Sequence, residues 1–301
     1  MSFALVFSGQ GNQHPAMLPW LADDAMVRQM RECLGVDDWR AALADPDWAA
    51  NNSNAQTLLT SLALAAWGQL APLVASPSVI AGYSVGELAA FSAAGVIDDD
   101  VAASLAPLRA AAMDACAARL PGGLLAVTGM PQSALARLCA LTGLALAIRN
   151  GVESVVLGGP VAALEQAQQI ATGQGAQCTR LRVNVASHTP WMQDAAEHFS
   201  NALAEVPFRA PRTVLLSNAT DRIFDAASAR SALAAQIART VRWDQCMESI
   251  AERQVRCVLE VGPGQALTRM WNQRYPDIPA RACDDFRSPA AIASWLRAHE
   301  H

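Results

Sequence analysis

Residues 79–91 read Val-Ile-Ala-Gly-Tyr-Ser-Val-Gly-Glu-Leu-Ala-Ala-Phe, a β-branched pair, a Gly-x-Ser-x-Gly turn and an Ala-rich segment. This order predicts a strand, a sharp turn and a helix, which is the setting of a nucleophile elbow. Gly82 and Gly86 leave room for a backbone too tight for a Cβ atom. The alternative is that Ser84 only caps the helix, in a capping box with Glu87. Because a cap does not need glycines on both sides, the stretch favours a nucleophilic serine.

The composition is that of an ordered globular protein of about two domains. The chain has 301 residues, of which 52% are hydrophobic and 16% charged. A net charge of −5 without any basic block argues against a nucleic-acid partner. All 22 basic residues are arginines. A Schiff-base lysine, a Ser-Lys dyad and a P-loop are therefore excluded.

Cysteine usage and hydropathy predict a cytoplasmic protein without a membrane or metal partner. The seven cysteines are scattered with no C-x-x-C spacing, which is typical of reduced thiols, and no H-E-x-x-H motif suggests zinc. Residues 1–10 lack the basic region of a signal peptide. The uncharged stretch 48–86 is interrupted by Asn, Gln and Pro, so it predicts core helix and loop rather than a membrane span.

Alternating strands and helices predict an α/β fold, with a mostly parallel sheet covered on both faces. A strand is expected at Phe3–Phe7, before a Gly9-Gln10-Gly11 loop, and helices at 57–70 and 98–119, the latter disturbed by Pro107. Later strands are expected at 213–217 and, as the last one, 257–261, with helices at 190–205 and 228–239.

The middle of the chain predicts a second unit of β-α-β-β-α-β order, the ferredoxin-like pattern. Two of its strands are joined across Asn150-Gly151, a hairpin signal. The predicted boundaries are 123–186 for this unit and 1–122 with 187–301 for the larger one. The expected elements, in chain order, are strand 124–128, helix 131–141, strands 144–148 and 154–157, helix 161–171 and strand 178–185.

The five histidines supply the general base that a serine nucleophile needs. His299 and His301 lie at the chain end, and His198 is most simply a surface residue. His188 ends a strand just before a proline, a place that favours functional residues in α/β proteins. His188 is therefore the preferred base, and His14, beside the glycine loop, stays open.

Arg109 falls on an apolar helix face, where an arginine needs an anionic partner. An internal Asp or Glu is the simpler candidate for this partner. The alternative is a substrate carboxylate that accepts hydrogen bonds from two of the guanidinium nitrogens. Backbone N–H groups of Val85 and Gln10 are expected to form an oxyanion hole.

Together these residues resemble the malonyl-CoA:acyl-carrier-protein transacylase family. The resemblance rests on the opening Phe7-Ser-Gly-Gln-Gly-Asn-Gln13, the elbow, Ser187-His188 and the closing Glu260-Val-Gly-Pro-Gly264, with Arg109 twenty-five residues after the serine. Ser8, Tyr83 and Val85 depart from the family pattern. The resemblance implies an α/β-hydrolase-like large subdomain with an inserted ferredoxin-like one.

The resemblance also implies roles for the site residues. Ser84 and His188 would be catalytic, Arg109 would bind the substrate carboxylate, and the Gln236 carbonyl would orient the histidine in place of an aspartate. Malonyl-CoA would be the substrate, and no permanently bound cofactor is expected.

Several stretches are similar to one branch, the epsilon subunit of bacterial malonate decarboxylase. For that branch the partner would be the decarboxylase's small acyl-carrier subunit, which bears a CoA-derived prosthetic group. A fatty-acid-synthesis transacylase, a serine thioesterase or hydrolase, and a non-catalytic scaffold remain alternatives. Two interpretations stay open for arginines 137, 149, 180 and 182. They could contact CoA phosphates or an acidic carrier, or they could form a solvated face, which is the more common case.

Overall fold

The computed structural model describes residues 2–299, which form two β-sheets with helices around them. The strands are β1 (Phe3–Phe7), β2 (Val79–Gly82), β3 (Gly122–Thr128), β4 (Ala145–Gly151), β5 (Ser154–Pro160), β6 (Gln177–Arg180), β7 (Val214–Ser217), β8 (Asp221–Ile223), β9 (Val241–Arg242), β10 (Cys257–Val261) and β11 (Ala280–Ala282). The helices are α1 (Ala25–Leu34), α2 (Trp39–Ala42), α3 (Pro46–Ala50), α4 (Asn52–Leu70), α5 (Gly86–Ala93), α6 (Asp99–Arg119), α7 (Gln132–Thr142), α8 (Val161–Gly173), α9 (Gln193–Leu203), α10 (Ala226–Ala235), α11 (Trp243–Ala251), α12 (Ala266–Arg274) and α13 (Pro289–Ala298).

The large sheet has the strand order β11-β10-β1-β2-β7-β8. Its strands pair in parallel except for β8, which runs antiparallel to β7. Phe7 pairs with Val261 of β10 and with Gly82 of β2, so three strands end level with one another. The loops that follow these strands therefore meet at one edge, where α/β proteins place their sites.

The small sheet has the order β6-β3-β5-β4-β9, and its first four strands pair antiparallel. With α7 and α8 it follows the predicted β-α-β-β-α-β order, and a separate core containing Leu125, Leu157 and Leu164 lies under these helices. β9 joins β4 in parallel from a later part of the chain. The predicted fold class is confirmed. The predicted subdomain boundaries stay a prediction, and their outer limits at residues 1 and 301 lie outside the described residues.

Three local predictions of strands and turns need correction, and three short strands were missed. The predicted strand 178–185 ends at Arg180, after which the chain leaves the sheet toward His188. The hairpin turn falls on residues 152–153, and Asn150-Gly151 belongs to β4. The strand at 257–261 is not the last, since β11 follows. β8, β9 and β11 were not predicted, because two or three residues are too short for a periodic pattern.

Helix α6 is continuous through Pro107, so the predicted disturbance does not interrupt it. By length and composition alone α6 could span a membrane, but that criterion is also met by core helices. Here α6 packs against α4, α5 and α9 and buries one side in the core. Its buried side carries Arg109.

Candidate active site

The elbow has the strained backbone that its sequence predicts. Ser84 adopts φ 54°, in the left-handed region that non-glycine residues rarely occupy. A Cβ atom on Gly82 would lie 2.3 Å from the Gly86 carbonyl, and one on Gly86 would lie 2.5 Å from the Phe7 carbonyl oxygen. Both glycines are therefore required by close backbone approach, and Ser84 projects into the cleft.

Ser84 and His188 form a hydrogen-bonded pair, with Ser84 Oγ 2.7 Å from His188 Nε2. His188 Nδ1 lies 2.8 Å from the Gln236 carbonyl oxygen. Because a carbonyl oxygen only accepts, Nδ1 must carry the proton and Nε2 is free to accept from Ser84. Burial, with Arg109 nearby, lowers the pKa of His188 to about 3, so the ring is neutral at neutral pH.

The capping interpretation of Ser84 is wrong. Helix α5 begins at Gly86 with no side-chain cap, and the Ser84 hydroxyl bonds to His188 instead. Glu87 accepts from the backbone N–H of Asn218 at 2.5 Å. The S-x-x-E spacing thus does not form a capping box here.

The other described histidines lie away from the serine. His14 is 3.2 Å from Asp284 and belongs to a different surface hollow. His198 is exposed on α9, and His299 bonds to the Trp295 carbonyl. His301 lies outside the described residues. His188 is therefore the histidine that the fold brings to Ser84.

Arg109 is almost fully buried, with 2% of its surface exposed, and lies in the same cleft. Its two terminal nitrogens donate to Gln56 Oε1 and Gln236 Oε1, each at 2.7 Å. No carboxylate lies within 4.0 Å of the guanidinium in the part of the chain that the structure describes. Burial lowers the pKa of Arg109 to about 10, with Glu87 opposing the shift, so the side chain stays charged. The predicted internal acid partner is absent from direct contact.

Gln236 connects the groups of the site. It follows α10 directly, and its carbonyl oxygen accepts from His188 while its side-chain oxygen accepts from Arg109. Its side-chain nitrogen donates to the Ser84 carbonyl at 2.5 Å. One residue therefore fixes the histidine ring, the arginine fork and the elbow backbone. The sequence suggested only the first of these contacts.

Two free donors lie where an oxyanion hole is expected. The backbone N–H groups of Gln10 and Val85 have no acceptor among residues 2–299. A Cβ on Gly9 would lie 2.8 Å from Tyr83, so the glycine loop packs directly on the elbow. The roles predicted for Gln10 and Val85 agree with this placement and stay predictions.

Asn218, which sequence reasoning missed, forms hydrogen bonds to the backbone of the elbow. Its side-chain oxygen accepts from the Ser84 N–H at 2.8 Å, and its side-chain nitrogen donates to the Gly82 carbonyl at 2.6 Å. Its own N–H donates to Glu87, whose pKa burial raises to about 7. The only sequence signal was its place directly after a predicted strand.

The cleft that contains these groups has a volume of about 420 Å³ and lies between the two sheets. Of the four arginines proposed for phosphate or carrier contacts, Arg180 and Arg182 line it. The guanidinium of Arg180, however, lies beside Gly123, on the strand face that packs on α8. Tyr83 and Asn150 also line the cleft. Tyr83 was not predicted as a site residue, and for Asn150 the sequence left contact with a substrate open.

The elbow, the serine–histidine pair and the buried arginine form the candidate site. The chain belongs to the acyl transferase domain family, whose model matches residues 4–300. Within it, the chain is 32% identical to the malonyl CoA-acyl carrier protein transacylase of Mycobacterium tuberculosis (strain H37Rv), covering 96% of this chain and 97% of that one. The prediction of an acyltransferase enzyme is confirmed.

Solved structures show the same architecture. FabD from Acinetobacter baumannii superposes with a TM-score of 0.89 at 29% identity, covering 99% of this chain and 98% of that one. A malonyl-transacylase in complex with its type II PKS acyl-carrier protein superposes with a TM-score of 0.89 at 28% identity, covering 99% and 100%.

Replacing Glu87 with glutamine should change how stability depends on pH. The folded pKa of about 7 exceeds the usual 4.5, so the folded state keeps a proton that the unfolded state releases, and stability falls as the pH rises from 4.5 to 7. Glutamine has no such proton. The unfolding free energy of Glu87→Gln minus that of the wild type should therefore rise by about 3 kcal/mol between pH 4.5 and 8. Urea denaturation measures this, with the exposed Glu165→Gln as control. A difference independent of pH would contradict the assignment.

Proposed function

We propose that this enzyme moves a malonyl group from malonyl-CoA to the thiol of an acyl carrier protein, through a malonyl-serine intermediate on Ser84. The observation that carries the proposal is the charged Arg109 guanidinium, buried without a carboxylate partner in the cleft that holds Ser84 and His188. A buried charge without an opposite charge beside it is costly. A site with one half of a charge pair therefore suits a substrate that brings the other half.

In the first step His188 Nε2 takes the Ser84 proton while the serine oxygen attacks the thioester carbonyl. The N–H groups of Gln10 and Val85 would hold the oxyanion, and losing one such donor typically costs about 10²–10³ in rate. The Nδ1–H bond to Gln236 holds the ring in the required tautomer. The imidazolium then gives its proton to the leaving thiolate of CoA. In the second step the carrier thiol gives its proton to His188 and attacks the carbonyl of the malonyl-serine, and the Ser84 oxygen leaves and takes that proton back from His188.

Arg109 would select the acyl group. Its two terminal nitrogens already point at acceptor oxygens of neutral amides, so a carboxylate can add to the guanidinium without displacing an acid. An acetyl group cannot supply the negative charge, and a polar site rejects a substrate that lacks the matching group.

The proposed acceptor is an acyl carrier protein. The relatives support an acyl carrier protein of the kind used by fatty-acid-synthesis transacylases better than a malonate decarboxylase carrier. The prediction of the decarboxylase carrier rests on the resemblance of particular stretches alone. We also propose a cytoplasmic location, for which the cysteine usage is the argument.

Ser84→Ala should abolish covalent malonylation. Brief mixing of wild-type enzyme with malonyl-CoA should add one malonyl group to the intact mass, and the variant should add none because it lacks the nucleophile. The exposed Ser104→Ala is the matched control. An adduct on Ser84→Ala would move the nucleophile elsewhere. Consumption of malonyl-CoA by the wild type without any adduct would instead indicate the hydrolase alternative.

Arg109→Lys should lower kcat/KM for malonyl-CoA on the order of 10²-fold more than for acetyl-CoA, because lysine lacks the two-nitrogen fork. The measurement is the ratio of the two constants for each enzyme. Arg119→Ala, at the exposed end of the same helix, should leave the ratio unchanged. An unchanged ratio in Arg109→Lys would contradict the proposed role of Arg109 in binding the carboxylate.

Discharge of isolated malonyl-enzyme to two carriers should identify the acceptor. We expect faster transfer to an acyl carrier protein with a simple phosphopantetheine arm than to the decarboxylase carrier, whose larger CoA-derived group, phosphoribosyl-dephospho-CoA, carries the same thiol. Single-turnover loss of the malonyl mass measures both rates. The opposite order would assign the enzyme to malonate decarboxylase.

A further inference from the structure

Tyr83 and Asn150 connect the two sheets at the wall of the cleft, and the chemistry proposed above does not use them. Tyr83 precedes the nucleophile in the elbow, whereas Asn150 lies in β4 of the small sheet. The Tyr83 hydroxyl is 3.0 Å from Asn150 Oδ1. Both residues line the cleft that contains Ser84.

An irregularity in strand β4 places Asn150 beside Tyr83. Arg149 pairs with Val155 and Gly151 pairs with Ser154, so Asn150 is an extra residue in β4 and forms a bulge. Bulges re-aim side chains and are frequent beside active sites. The sequence had placed Asn150 in a hairpin turn, where turn chemistry accounts for an asparagine, and had left its approach to a substrate open.

In this hydrogen bond the Tyr83 hydroxyl is the donor and Asn150 Oδ1 the acceptor. Burial raises the pKa of Tyr83 well above its usual value, so the phenol is neutral and has a proton to donate. Its ring packs edge-on against Trp243, with centroids 5.4 Å apart. With Oδ1 facing Tyr83, the Asn150 NH₂ group faces away, and no acceptor for it lies among residues 2–299. The cleft wall thus presents a free, oriented donor.

The substrate of the proposed function offers an acceptor for that donor. Its carboxylate is taken by Arg109, which enters the cleft from α6, and its thioester by Ser84. Beyond the sulfur, the pantetheine arm has two methylene groups and then an amide. The wall beside Asn150 is apolar, formed by Ala126, Ile148 and Val156, which suits methylene groups next to a single polar contact.

We propose that the Asn150 side-chain NH₂ donates a hydrogen bond to the pantetheine amide carbonyl nearest the sulfur, with Tyr83 as the positioning residue that orients it. The proposal rests on the malonyl transfer described above. Coenzyme A and a carrier's prosthetic arm share this amide, so the same contact serves both steps of the transfer.

Two small malonyl thioesters test the contact. One carries N-acetylcysteamine, which retains the amide, and the other carries pentanethiol, which has a similar length and no amide. The second-order rate constant for Ser84 acylation is followed by intact mass for each. The wild type should favour the amide-bearing thioester, and Asn150→Ala should lower that preference by about 3- to 10-fold, the usual size of one neutral hydrogen bond.

Tyr83→Phe should lower the preference partway, because the amide is still present but no longer oriented. Tyr275→Phe, at the chain's other tyrosine, and the exposed Asn201→Ala are the matched controls and should retain it. If Asn150→Ala slows both thioesters equally, or if its preference is unchanged, the contact is only a structural link between the sheets and the proposal fails. Malonyl-CoA is run beside them, and failure of the wild type to be acylated by malonyl-CoA would instead overturn the proposed function itself.

Discussion

The left-handed backbone at Ser84 is the constraint on which the rest of the site depends. A serine at φ 54° is strained, and such strain persists only where the surroundings hold it in place. Three elements do so here. Gly82 and Gly86 allow the close approach of α5 and of the end of β1, respectively, Asn218 bonds to the backbone on both sides of Tyr83, and Gln236 bonds to the Ser84 carbonyl. This conformation places the Ser84 hydroxyl beside His188, while the chain enters helix α5 two residues later.

The two buried ionisable groups Arg109 and Glu87 are kept apart, and this separation determines the electrostatics of the site. Arg109 and Glu87 are both buried and do not contact each other; uncharged amides of Gln56, Gln236 and Asn218 stand against them. Burial raises the pKa of Glu87 to about 7, so this acid does not offer Arg109 a full neutralising charge at neutral pH. The use of a backbone carbonyl instead of an aspartate behind His188 has the same effect. A second carboxylate there would compete with the substrate for the arginine.

The sequence predicted the parts of the fold and site whose pattern is local. The elbow, the first strand, the ferredoxin-like order and the helical position of Arg109 all depend on neighbours within a few residues. Asn218 could not be found in this way, because its partners Gly82 and Glu87 lie 136 and 131 residues away. The same limit applies to β9 and β11, whose pairing partners decide that they are strands. Asn150-Gly151 was misplaced by two residues because the bulge, which no local pattern marks, shifts the register.

The insertion of a second sheet gives this site a property that a lone elbow lacks. In the proposed function, Ser84, the N–H groups of Gln10 and Val85, and Arg109, all attached to the part of the chain around the large sheet, would position only the acyl group and the bond that reacts. Anything beyond the sulfur needs a wall on the opposite side, and β3, β4 and β5 supply it through Ala126, Ile148 and Val156. Because β9 is drawn from the chain just after Gln236 and pairs with β4, the small sheet is tied to the residue that orients His188. In the proposed transfer, the wall beside the leaving thiol and the groups that would move its proton are therefore held in a fixed position relative to each other.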